Sequence, residues 1–253
     1  MVTIKKILEI DECPSTSVTS NKTFTAIPYQ QSRLIHFIRH GQGDHNVAGE
    51  LNYQCYKSEQ WFDAHLTQEG WKQATYLNAH LRQINLKPDL VIVSPLMRAL
   101  ETAVAAFGSM KQDLSVRDVP LMSVGIDGPH YVVDQRILSR NPQHILAVEL
   151  CREQLGVHPC DRRRRISEYR TLFPAVDWSL IGDEEDILST SDKRETKDEI
   201  TARARQFLSM LLKRSERSIA VVTHSSFLKH LFLSLPAEGS TYVNVSLLCK
   251  LYT

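Results

Sequence analysis

An α/β domain with a doubly wound, largely parallel sheet and helices on both faces is the fold class this sequence predicts. Three observations lead there. Short apolar runs of strand length alternate along the chain with segments of helical periodicity. Turn chemistry or a helix-capping residue follows directly on several of those runs. The 253 residues, 42% of them apolar, also suffice for the core that such a sheet requires.

Residues 1–32 mix short apolar patches with a Ser/Thr-rich stretch and read as an N-terminal arm ahead of a domain over residues 33–253. Arg33-Leu34-Ile35-His36-Phe37-Ile38 is a buried strand running into the glycine-containing loop Arg39-His40-Gly41-Gln42-Gly43. A helix follows from Thr67, its N-cap, to about Leu86, because Trp71, Ala74, Leu77 and Leu81 recur at helical spacing and Pro88 stops it. Leu90–Val93 is the second strand. Ser94-Pro95 then serve as N-cap and first residue of a helix reaching Phe107. A third strand is expected at 145–148, a helix at 200–212 and a fourth strand at 219–222. A helix capped by Ser225 or Ser226 follows, and a last strand closes the chain at 242–252. Two stretches of weak periodicity, about 108–144 and 157–195, read as insertions of lid length.

Thirty basic residues against 29 acidic ones leave no global field to recruit nucleic acid or a membrane surface, so any anion site must be local. The five cysteines are odd in number and lack C-x-x-C spacing, which fits reduced thiols. No apolar run near the N-terminus is long enough for a signal peptide or a membrane span, so the chain reads as soluble and cytoplasmic. The histidines form no cluster at metal spacing and no cofactor is implied.

In a parallel sheet the C-terminal strand ends meet at one edge. Here they deliver Arg39 and His40, then Arg98, then His224. Arginine grips phosphate with a bidentate fork, whereas a neutral histidine can attack phosphorus. Gly41 and Gly43 would add unobstructed N–H groups, and Ser94 or Ser225 would add helix N-termini. Taken alone, an R-H-G triplet is better read as a surface arginine and a satisfied turn histidine. Several such groups in order at one edge point to a phosphoryl pocket instead.

The segments IHFIRHGQGDHN, DAHLTQEGWKQA, VSPLMRALETA and VVTHSSFLKH resemble, in order, the motifs of the histidine phosphatase superfamily, also called phosphoglycerate-mutase-like proteins. The stretch ELCREQLGVHPCDRRRRISEYRTLFPAVDWSLI is similar to the plant and fungal branch. The resemblance implies the phosphoglycerate-mutase-like fold and a phosphohistidine on His40. It also implies that Arg39, Arg98 and His224 hold the phosphoryl oxygens, with Asn46 on phosphate or substrate. It calls for an acidic proton donor after the third strand, where Glu153 is preferred and Glu149 stays open. Burial should raise the pKa of that acid so that it can protonate a leaving alcohol.

The expected activity is therefore hydrolysis of a small phosphorylated metabolite. A mutase is an alternative, although R-H-G-Q-G-D-H-N differs from the R-H-G-E-S-x-W-N of authentic phosphoglycerate mutases. A silent phospho-ligand binding protein is a second alternative. Sugar phosphates, sugar-acid phosphates, nucleotides and prenyl diphosphates all remain open as substrates. The arginine run 162–165 is read as a solvated segment or as a clamp on a second anionic group.

Overall fold

A computed structural model describes residues 33–110, 121–123, 137–138, 144–235 and 243–249. The expected N-terminal arm and most of the first insertion lie outside these residues. The sheet comprises β1 (Arg33–Arg39), β2 (Leu90–Val93), β3 (His144–Ala147), β4 (Val176–Asp177), β5 (Ser218–Thr223) and β6 (Val243–Cys249). Its order is β4-β3-β2-β5-β1-β6 and every neighbouring pair runs parallel. The chain winds outward from β1 to β4 and then returns to slot β5 between β1 and β2. That return makes the ends of β1, β5 and β2 neighbours.

Because side chains alternate along a strand, each buried strand feeds two cores. Val91 and Val93 of β2 pack with Trp71, Leu77 and Leu81 of α2 (Gln68–Gln83) and with Leu100 and Val104 of α3 (Met97–Phe107). Leu90 and Ile92 face the opposite side, toward α5 (Lys197–Lys213) and α6 (Ser225–Ser234). On α5 the buried apolar positions are Ile200, Ala204, Phe207 and Leu211, the stripe that a 3.6-residue period produces. Truncating Phe207 to alanine would cost about 3–5 kcal/mol. Among the described residues the remaining α-helices are α1 (Asp44–Leu51) and α4 (Ile166–Leu172).

Helix starts depart from the sequence reading in an instructive way. Thr67 caps α2 as expected, accepting from the Gly70 N–H at 3.0 Å. By contrast α3 starts from Leu96 and α6 from His224, neither offering a side-chain cap. Ser94, Ser225 and Ser226 are thus not the caps predicted. The second insertion is built into the fold: it supplies edge strand β4 and helix α4, and Tyr169 of α4 is buried and stacks on Trp178 at 5.4 Å. No described helix is long and apolar enough to cross a membrane.

Candidate active site

Strand β1 hands over to the loop at His40, whose N–H still donates to Thr223 of β5 at 2.9 Å. The His40 ring is buried, with Nδ1 2.6 Å from the Gly41 carbonyl. A carbonyl can only accept, so Nδ1 carries the proton and Nε2 is left with its lone pair. Arg98 Nε donates to that Nε2 at 3.3 Å. Burial first, then the charges of Arg98 and Arg39, hold His40 well below the ordinary imidazole range. The group is therefore a neutral imidazole whose unprotonated nitrogen accepts from Arg98.

The loop itself is tied down on several sides. Gly41 N–H donates to Thr102 Oγ1 at 3.1 Å, Gln42 N–H to Gln73 Oε1 at 2.8 Å and Gly43 N–H to Asn46 Oδ1 at 2.9 Å. The expectation that the Gly41 and Gly43 N–H groups face a ligand is therefore corrected, since both are spent inside the protein. Glycine at 41 serves close approach instead: a Cβ there would stand 2.6 Å from the Gly70 carbonyl oxygen. Asn46 is engaged through its amide oxygen, which accepts from the Gly43 N–H.

Arg98 is fully buried on the first turn of α3. Its Nη1 donates to the Cys160 carbonyl at 2.5 Å, and its Nη2 to Asp161 Oδ1 at 2.8 Å. Asp161 Oδ2 in turn accepts from Arg194 at 3.0 Å. The start of α3 is fixed by Asp63, whose buried carboxylate accepts from Met97 N–H at 2.9 Å, Tyr169 Oη at 2.7 Å and Arg164 Nε at 3.1 Å. Asp161 and Asp63 were not singled out from the sequence, although the latter opens a quoted motif. Their partners lie too far along the chain for spacing to reveal them.

His224 follows β5 and its ring lies 5.0 Å from that of His40. Nε2 pairs with Ser94 Oγ at 2.7 Å, whereas the buried Nδ1 has no hydrogen-bond partner. Burial and the Arg98 charge keep this histidine neutral also. The hydroxyl of Ser94 thus orients an imidazole instead of capping α3.

Of the two acids after β3, Glu149 is occupied by buried arginines, at 2.9 Å from Arg152 and 2.6 Å from Arg163. Glu153 instead reaches the start of α6, where its carboxylate accepts from Ser226 N–H at 3.2 Å and Phe227 N–H at 3.1 Å. It thereby fills the capping role predicted for Ser225 or Ser226, and the Ser225 hydroxyl lies at 3.5 Å from it. Burial and then the Asp161 charge push Glu153 above the usual carboxylate range, against the pull of the Gln154 N–H, Arg98 and the Ser226 N–H. An acid biased toward its protonated form, beside two neutral histidines and a buried arginine, is placed to act as a proton donor.

The arginine run points to carboxylates, not to the pocket. Arg162 pairs with Glu59 at 2.6 Å, Arg163 with Glu149, Arg164 with Asp63 and Arg165 with Glu185 at 2.9 Å. Its role is to fasten the second insertion. His36 is buried, and desolvation lowers it to about 4, as a packing residue requires. Among the described residues His158, Cys160 and Asp161 bring ligand atoms within 4.8 Å of one another. Asp161 is already held by two arginines and burial pushes the Cys160 thiol up, so the trio is arranged for charge pairing and not for a cation.

The model of the histidine phosphatase superfamily (branch 1) matches residues 35–120. Phosphoglycerate mutase-like protein 1 of Arabidopsis thaliana is 47% identical over 213 residues, covering 83% of this chain and 74% of that protein. A second phosphoglycerate mutase-like protein of the same plant is 44% identical over 216 residues, covering 85% and 79%. The solved alpha-ribazole phosphatase from Shigella flexneri matches with TM-score 0.45 and 20% identity, covering 80% of this chain and 79% of that one.

Proposed function

Since the chain belongs to the histidine phosphatase superfamily, on its plant phosphoglycerate-mutase-like side, we propose that it is a phosphatase acting on a small phosphorylated metabolite through a phosphohistidine on His40. The observation that carries this reading is the unprotonated Nε2 of a buried, neutral His40, which accepts from Arg98 Nε. Nε2 attacks phosphorus in line, and the bond from phosphorus to the ester oxygen breaks as Glu153 gives that oxygen its proton. Arg39 and Arg98 neutralise charge on the phosphoryl oxygens, and the Nδ1–H of neutral His224 donates a hydrogen bond to them. Asn46 and Ser225 border this group and take the substrate-contact role through the hydrogens their present partners leave over. Water then attacks the phosphohistidine and Glu153 takes the proton of that water. The P–N bond breaks, His40 is regenerated and inorganic phosphate leaves. Glu153 is chosen over Glu149 because Glu149 is neutralised in place by Arg152 and Arg163.

A phosphate-release screen over sugar phosphates, sugar-acid phosphates, nucleotides and prenyl diphosphates, with His40→Ala as blank, tests this. The expected result is turnover of at least one class that falls by about 10³-fold or more in the variant. An acid-labile, base-stable phosphoprotein should be trapped with the wild type and not with the variant. Full activity of His40→Ala would refute the assignment. The names of the plant relatives favour one second reading, a mutase. Isomerisation of a phosphoglycerate outpacing phosphate release would establish it.

A further inference from the structure

His40 has a second imidazole neighbour that the mechanism above does not use. His45, on the first turn of α1, is buried, and its ring centroid lies 5.8 Å from that of His40. Its Nδ1 is buried without a hydrogen-bond partner, the condition also found at His224 Nδ1. Buried polar atoms in folded proteins are paired as a rule, and the exceptions call for a ligand, water or strain to account for them. Two orphan imidazole nitrogens on rings that both neighbour His40 are what a bound group hydrogen-bonded by both would account for.

The ring is held where it stands by packing alone. A Cβ on Gly43 would come within 2.7 Å of His45 Cε1 and Nδ1, so glycine at that loop position is what admits the ring. Tyr56 meets the ring edge-on at 6.0 Å and 70°. A residue that only fills this space needs no nitrogen. An apolar ring would pack there without leaving a polar atom unsatisfied. The surroundings also define the ligand. Burial and the charges of Arg98, His40, Arg39 and His158 all weigh against a proton on His45, so the imidazole stays neutral and adds a directed donor without adding charge.

We propose that His45 is a substrate-contacting residue that donates a hydrogen bond from its neutral ring to an oxygen of the bound phosphoryl group. It makes a third imidazole of the site with His40 and His224, and an adjacent loop glycine makes room for it. This rests on the phosphoryl-site reading of His40, and the test separates the two.

Inorganic phosphate and orthovanadate serve as probes, measured by calorimetry on the wild-type chain and on His45→Leu, His45→Asn and His45→Gln, with melting of each free protein. In His45→Asn the amide nitrogen replaces Nδ1, and in His45→Gln it replaces Nε2. His45→Leu should bind both anions about tenfold or more weakly, the loss expected of one hydrogen bond to a charged acceptor. Its melting temperature should equal or exceed that of the wild type, because an unsatisfied buried atom has gone. One of the two amide variants should recover most of the affinity. Wild-type affinity in His45→Leu would overturn the proposal while leaving the His40 reading intact. Joint loss of binding and melting temperature in all three variants would overturn it by showing a purely structural histidine. Absence of phosphate and vanadate binding by the wild-type protein would overturn both readings.

Discussion

Arg163 offers the sharpest test of how the second insertion is attached. Its side chain is 1% exposed and donates to Glu149 at 2.6 Å. It also donates to the carbonyls of Arg164, Glu184, Asp183 and Glu185 at 3.0, 2.9, 2.8 and 2.8 Å. Arg163→Ala removes every one of these donors, leaving a carboxylate with one arginine fewer and carbonyls without their donor. Breaking a buried pair from one side costs about 3–5 kcal/mol. In a domain of this size each kcal/mol lowers the melting temperature by about 2–4 °C, so the variant should melt about 6–20 °C below wild type. Arg165, whose side chain is 57% exposed and pairs only at the surface, is the control, and its alanine variant should melt with the wild type. Calorimetric melting together with KM for anionic substrates decides the matter. An unchanged melting temperature in Arg163→Ala, with the whole effect in KM, would refute the structural role and restore a substrate clamp.

Glu153→Gln keeps the shape of the cap on α6 but cannot give a proton, so turnover of alkyl phosphates should fall by about 10²–10⁴-fold. Nitrophenyl phosphate, whose leaving group needs no proton, should be spared most of that loss, and equal losses on both would exclude Glu153 as the acid. Asp161→Asn removes the charge that helps hold a proton on Glu153. Catalysis fades as pH rises through the pKa of that acid, so a lowered pKa moves the alkaline limb of kcat toward acid. A limb that stays in place would show the two carboxylates to be independent. His40 must be neutral to attack, and its pKa lies well below the ordinary 6.5. The acid limb of kcat/KM should accordingly fall below that value, and an inflection centred on it would contradict the buried, arginine-flanked setting.

How much of this was legible in the sequence depends on the distance over which each feature is determined. β1, β2 and β5 are continuous apolar runs, and α2 carries its own cap and stripe, so the chain announces them locally. Helix α1 was missed because little within it favours a helix. Gly49 lies inside it, a single residue is buried and its N-terminus is held by Asn46 acting on Gly43. The arginine run was visible as charge, but its meaning lay in carboxylates 14 residues away at Glu149 and 101 residues away at Asp63. Local spacing carries no record of such partners. The order of Arg39-His40, Arg98 and His224 was readable because parallel strands convert sequence order into one shared edge.

The sequence misjudged the caps at the site itself, and the reason is chemical. Local rules give Ser94 to α3 and Ser225 or Ser226 to α6. The fold gives those helix starts to Asp63 and Glu153, carboxylates from other segments. Ser94 is thereby released to orient His224, and Glu153 is drawn from the end of β3 to the edge where His40 and His224 meet. Each exchange breaks a local preference and gains a placed functional group. Conflict between local rule and observed structure is the expected mark of a functional site. Here it falls on the same side chains that the proposed mechanism needs, which were selected on the separate grounds of charge, burial and reach.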